Sequence, residues 1–130
     1  MILALRTDKP EAELYLLSPT GKKLAEHSWQ ADRELADSLL KTLDEFLTLN
    51  KTGFDKLSGI IIYEGPGSFT GLRIGASVAN AAAYSQNIPV IGSSGKAWLE
   101  SGRAKLKNAK PGHYVTPEYG APPNITKPKK

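Results

Sequence analysis

Ile60-Ile61-Ile62-Tyr63-Glu64-Gly65-Pro66-Gly67-Ser68-Phe69-Thr70-Gly71-Leu72-Arg73-Ile74-Gly75 passes from one kind of structure to another. The β-branched apolar run suits a buried strand, and Gly-Pro-Gly breaks it. Ser68 or Thr70 can then cap a helix that continues through Gly75, Ala76, Ala79 and Ala81 to Ala83. A strand, a glycine turn and a small-residue helix in that order make half of a layered α/β unit. Gly65 and Gly67 permit backbone angles closed to other residues and let a second backbone or a ligand come close. The turn also aims free N–H groups and a positive helix end outward, which suits an anion. Gly65, Gly67, Ser68, Thr70 and Arg73 are therefore the candidates for a phosphate- or nucleotide-proximal turn. An empty strand-to-helix connection is the plain alternative. Generic phosphate motifs fail: Leu72 stands where a P-loop needs lysine, and Thr70 stands where a dinucleotide fingerprint needs its third glycine.

The eleven residues Gly65-Pro-Gly-Ser-Phe-Thr-Gly-Leu-Arg-Ile-Gly75, followed by Asn87-Ile88-Pro89-Val90-Ile91-Gly92, resemble the TsaB (YeaZ) family. That family takes part in making threonylcarbamoyladenosine (t6A) in bacterial tRNA. The resemblance implies a single actin/hexokinase/Hsp70-like (RNase H-like) α/β lobe, a mixed sheet with a three-strand meander followed by two helices. It also implies a non-catalytic scaffold that binds and activates a TsaD-like catalytic paralogue, with a TsaE-like ATPase as a further partner. tRNA would be reached through the complex, and ATP or ADP would sit at the partner interface, with no cofactor bound by this chain alone.

The chain outside the motif fits that outline. Ile2–Leu5, Leu14–Leu17 and Lys23–Trp29 read as three strands, the last two joined by the turn signal Ser18-Pro19-Thr20-Gly21. The acidic residue that relatives carry in the first hairpin falls at Arg6, which cannot ligate a cation; Asp8 can substitute, although a turn role suits it better. Asp32 to Asn50 is helical in pattern. Leu35, Ala36, Leu39, Leu40, Leu43, Phe46 and Leu47 cover an arc of about 140° at 100° per residue. Asp32 fits an N-cap, and Lys51 and Gly53 fit the close. So wide an arc is either one broad core face or two faces, with Leu35, Leu39 and Phe46 toward the sheet and Ala36, Leu40 and Leu47 toward another helix. The His-Ser pair of relatives falls at Leu35-Ala36, so no His-based metal site is expected.

In the second helix, about Thr70 to Gln86, Ile74 and Val78 are expected toward the sheet, with Leu72, Ala76, Ala79 and Ala83 nearly opposite. By the resemblance these two helices meet those of TsaD, so the expected partner interface is Ala36, Leu40, Leu43, Leu47, Leu72, Ala76, Ala79, Asn80 and Ala83. Self-pairing into a homodimer through the same helices is expected when that partner is absent. Arg73 and Asn80 are either a solvated edge or a polar rim that fixes partner register. Ser93-Ser94-Gly95 opens a brief helix through Trp98 and Leu99, with Trp98 as a core plug.

One hundred and thirty residues suit one domain, here divided as a lobe over residues 1–102 and a basic, proline-rich tail over 103–130. Residues 1–100 carry 10 basic and 12 acidic side chains, and residues 101–130 carry 7 basic against Glu118. The net charge of +4 therefore belongs to the tail. Five of nine prolines also lie there, so the tail is expected to be extended, with Tyr114 and Tyr119 as anchors on a partner or phosphate backbone. Pro117-Glu-Tyr119-Gly-Ala-Pro-Pro123 resembles the closing segment of the family, and the second lobe of relatives is expected to be missing. With no cysteine, thiol chemistry and disulfides are excluded. No run is long enough for a membrane helix and a cytoplasmic setting is expected. No catalytic or metal residue is expected. Two alternatives stand beside the scaffold: a remnant nucleotide-binding or hydrolysing enzyme using Glu64, Asp8 or Glu11, and an RNA-binding module working through the basic tail.

Overall fold

The computed structural model describes residues 1–117. Five strands form one mixed sheet in the order β3-β2-β1-β4-β5. β1 (Ile2–Arg6), β2 (Glu11–Leu17) and β3 (Lys23–Gln30) are the antiparallel meander. β4 (Gly59–Tyr63) lies parallel to β1, and β5 (Val90–Ser93) parallel to β4. Between β3 and β4 runs α1 (Leu35–Leu49), between β4 and β5 runs α2 (Phe69–Gln86), and α3 (Trp98–Leu106) follows β5. This is the single α/β lobe that the sequence implies.

Strand periodicity sorts the core into two layers. Leu3, Leu5, Leu14, Leu16, Ile60 and Ile62 point to the face covered by α1 and α2. Their neighbours Ile2, Ala4, Leu17, Ile61 and Tyr63 point to the other face, where Trp98 of α3 closes a second cluster. β4 is buried at every position, which is why it reads as an unbroken apolar run.

The helices depart from expectation in three places. A 3₁₀ turn over Asp32–Glu34 precedes α1, with Ala31 in its cap position, and neither Ala31 nor Glu34 makes a side-chain cap bond. The left-handed residue after α1 is Lys51 at φ 58°, whereas Gly53 is extended. Third, α2 sits the other way round: Leu72, Ala76, Ala79 and Ala83 are buried, and Ile74 and Val78 are only half-buried. A helix can lie close on a sheet only through small residues. Here a side chain at Gly71 would meet the Thr7 carbonyl, and one at Gly75 the Thr7 hydroxyl. Thr7 Oγ1 instead donates to the Gly71 carbonyl at 2.8 Å inside the core.

The lobe also runs past residue 102. Trp98, Gly102 and Leu106 recur at helical spacing toward the sheet, and Gly102 lies directly on Ile61. The first residues of the expected tail are thus helical. Residues 107–117 follow as turns and coil, and Tyr119 falls outside the described residues.

Candidate functional site

A cleft of about 780 Å³ opens where β1 ends and α1 and α2 begin. Thr7, Asp8 and Lys9 of the first hairpin form one side, Gln30 to Leu35 another, and Ser68, Thr70 and Gly71 a third. Its position follows from the topology, since parallel strands carry both helix starts to the same end of the sheet. Ser68 caps α2 by accepting from the Gly71 amide at 3.4 Å.

Of the five expected turn residues, only Ser68 and Thr70 line this cleft. Gly65 takes φ 117° in a cis Gly65–Pro66 unit, and its carbonyl accepts a hydrogen bond from the Ser94 hydroxyl. A side chain at Gly67 would run into Asp8, so this glycine serves contact within the chain. Arg73 is exposed and lies over the Phe69 ring at 6.0 Å. Thr7, Gln30 and Arg33 carry no local motif; they reach the cleft only through the sheet order.

Arg6 settles what Asp8 does. Its guanidinium donates to Asp8 Oδ1 at 2.7 Å and Oδ2 at 3.3 Å, and stacks 3.9 Å above the Tyr63 ring. Burial would lower the Arg6 pKa, but the hydrogen bond and charge of Asp8 outweigh it and hold the guanidinium above its usual value. Asp8 is only 8% exposed, with both oxygens engaged. A carboxylate matched in this way does not fit a metal–nucleotide anchor. Glu64 lies instead beside Gly92, and Glu11 is exposed at the start of β2, so the three acids do not converge on the cleft. Among the described residues no group of three or more His, Cys, Asp or Glu could hold a metal ion. His27 stacks on Trp29 at 5.8 Å and on Phe46 at 6.2 Å. On the far side of Arg6, Glu13 accepts from Tyr15 and pairs with Lys9 at 3.1 Å. Burial would raise Glu13, but these bonds win and lower it; burial and Glu13 together push Tyr15 up.

The second candidate surface is the groove between α1 and α2, about 370 Å³, lined by Leu40, Phe54, Ser77, Val78, Ala81, Ala82 and Ser85. Leu40 is 58% exposed and Tyr84 75%, and Ala36 is also exposed. Leu43, Leu47, Leu72, Ala76, Ala79 and Ala83, all expected on this interface, are spent in the core. For the four α2 residues the reason is the rotation described above, and for Leu43 and Leu47 it is that α1 turns this side onto the sheet. Asn80 is committed elsewhere: its amide donates to the Val115 carbonyl at 3.0 Å and accepts from the Val115 amide at 2.9 Å. This two-point clip fastens the segment after α3 across α2. Tyr114, next to it, is exposed. In Asn80→Ala both bonds go, and the Val115 amide should exchange with solvent about tenfold faster or more, with the melting point nearly unmoved. Amide exchange by NMR reads this directly.

The family model for TsaD, tRNA N6-adenosine threonylcarbamoyltransferase, matches residues 29–116. The chain belongs to this family. Curated relatives include TsaB proteins and tRNA N6-adenosine threonylcarbamoyltransferases, the latter 31% identical over 62 residues in Geobacter metallireducens. The TsaB protein of Haemophilus influenzae is 36% identical over 61 residues, covering 47% of this chain and 26% of its own length. That of Escherichia coli is 31% identical over 80 residues, covering 57% and 35%. The chain thus spans about a quarter to a third of these relatives. YeaZ from Pseudomonas aeruginosa superposes with a TM-score of 0.66 at 29% identity, over 78% of this chain and 49% of that one. At 17% identity, a Listeria monocytogenes protein described as an N-acetylmannosamine kinase shares the fold at a TM-score of 0.51 over 78% of this chain and 40% of that one. The chain is thus similar in sequence to TsaB proteins over part of their length, and it shares its α/β lobe with YeaZ and with that kinase. No helix among the described residues is long and apolar enough to cross a membrane.

Proposed function

We propose that this chain is a non-catalytic TsaB-like scaffold that binds and activates a TsaD-like partner through the α1–α2 groove. The carrying observation is the groove itself: two helices cover the sheet, yet leave Leu40, Val78, Ala81 and Ala82 lining an apolar hollow at the surface. Apolar surface presented along two neighbouring helices suits a helical partner. Activation needs no chemistry from this chain, because a partner is shifted toward its active conformation by whichever contacts favour that state. The occupied Asp8 carboxylate supports the same reading. An ATP or ADP in the complex would be held at the partner interface, not by this cleft alone. A TsaE-like ATPase, tRNA bound through the complex and a cytoplasmic setting belong to the same proposal.

Leu40→Arg with Ala81→Arg places two charges in the groove at positions that are exposed, so the fold should survive. Calorimetry with the cognate TsaD should show binding weakened about a hundredfold, the scale of a lost interface anchor. Unaltered binding by a folded double variant would remove the groove from the interface. The same titration without TsaD, followed by sedimentation, tests whether the groove also pairs two copies.

A further inference from the structure

We infer that the α3 side of the sheet is a landing surface for the phosphodiester backbone of RNA, built from the folded lobe and not from the terminal tail alone. Two segments far apart in sequence converge there. The turn after β2 brings Gly21 and Lys22, and the Arg103 side chain of α3 lies against Gly21. Lys23, Lys96 and Arg103, with Glu100 as the one acid among them, then line a small hollow of about 180 Å³. Lys107 and Lys110 follow the end of α3 in sequence, and both are exposed. From Lys96 to Lys110 there are five cations against Glu100, while α1 carries Asp37, Asp44 and Glu45 against Lys41.

Pairing separates this surface from an ordinary solvated face. The ion pairs among the described residues involve Arg6, Lys9 and Lys23, and Lys96, Arg103, Lys107 and Lys110 form none with a described carboxylate. Like charges gathered on one side repel one another, and a polyanion relieves that cost. Lys105 is partly turned away, donating to the Gly92 carbonyl at 3.2 Å. The clip between Asn80 and Val115 fastens the chain downstream of Lys110 to α2, on the other face of the sheet, so the segment holding Lys107 and Lys110 is tied to the lobe at both ends. The apolar groove lies on the opposite face of the sheet, so protein partner and RNA would not compete. The inference rests on the t6A reading only for the choice of tRNA among polyanions.

The test is fluorescence anisotropy of the full chain with unmodified tRNA transcript, and with an unrelated single-stranded RNA, from 50 to 200 mM salt. Four unpaired cations on phosphates predict a roughly 50- to 150-fold loss of affinity across that range. Lys96→Glu/Lys107→Glu/Lys110→Glu should flatten the salt slope to about a quarter and weaken binding at least tenfold at 100 mM. Lys41→Glu/Lys51→Glu/Lys56→Glu makes the same change in net charge on the α1 side and should stay within about threefold of wild type. Circular dichroism checks that both triples fold, and calorimetry with TsaD is run on the same samples. No RNA binding by wild type, or equal losses in the two triples, overturns the inference while leaving the partner titration to stand or fall by itself. Binding that depends on the α3 triple but shows no TsaD interaction sustains the RNA surface and defeats the scaffold.

Discussion

Replacing Gly71 with alanine should destabilise the lobe by about 2–3 kcal/mol, the scale of forced overpacking. For a lobe of this size that is a fall of roughly 10 °C or more in melting midpoint. The added methyl would land on the Thr7 carbonyl, a backbone atom that cannot swing aside. It would also drive apart the Thr7 hydroxyl and the Gly71 carbonyl, which are hydrogen-bonded in the core. Alanine gains about 1 kcal/mol of helix propensity over glycine, too little to compensate. Gly75→Ala is the informative companion, because there the obstacle is mainly the Thr7 side chain. Thr7→Ala should therefore restore part of the stability of Gly75→Ala and none of that of Gly71→Ala. Thermal melts of the four variants give the answer. A Gly71→Ala protein as stable as wild type would mean that α2 does not lie this close to the first hairpin.

Trp98→Ala should be costlier, about 3–5 kcal/mol, as for other large aromatic residues removed from a core. Trp98 is 4% exposed and meets Tyr15 and Tyr63 edge to face, with centroids 5.9 and 5.8 Å away. It is the chief apolar attachment of α3, whose outer side is basic. Since domains of this size are stable by only about 5–15 kcal/mol, the variant should sit near the edge of folding at 37 °C. Urea titration and near-ultraviolet dichroism would follow it, with Trp98→Phe regaining most of the loss. An unchanged urea midpoint in Trp98→Ala would show that α3 is held by something else.

The signals that were legible in sequence are those with strong contrast. An isoleucine run ending in Gly-Pro-Gly marked β4 and its turn, Ser-Pro-Thr-Gly marked the hairpin between β2 and β3, and leucine spacing marked α1. The orientation of α2 was not legible, because its two faces differ little in hydropathy. Ile74 and Val78 are the greasier pair, but the sheet needed proximity, and only Gly71, Gly75, Ala79 and Ala83 allow it. That single rotation moved four residues of the expected partner surface, Leu72, Ala76, Ala79 and Ala83, into the core and left Val78 in the groove beside Leu40 of α1. The start of α3 at Trp98 and Leu99 was legible, but its continuation was masked by Arg103 and Lys105, although Trp98, Gly102 and Leu106 already stood four residues apart. The cleft was half legible. Ser68 and Thr70 belong to a motif, whereas Thr7, Gln30 and Arg33 meet them only after the sheet has assembled. Nothing local in the sequence connects Asn80 with Val115, thirty-five residues on.

Sheet order has one more consequence. Among the described residues β3 ends the sheet, with one flank of backbone donors and acceptors facing no other strand, and most of its side chains are in water. Such an open margin can seed stacking of one molecule on the next. Lys22, Lys23 and Glu26, together with the register shift opposite Leu16 and Leu17, roughen that margin and keep strand-on-strand growth from starting there.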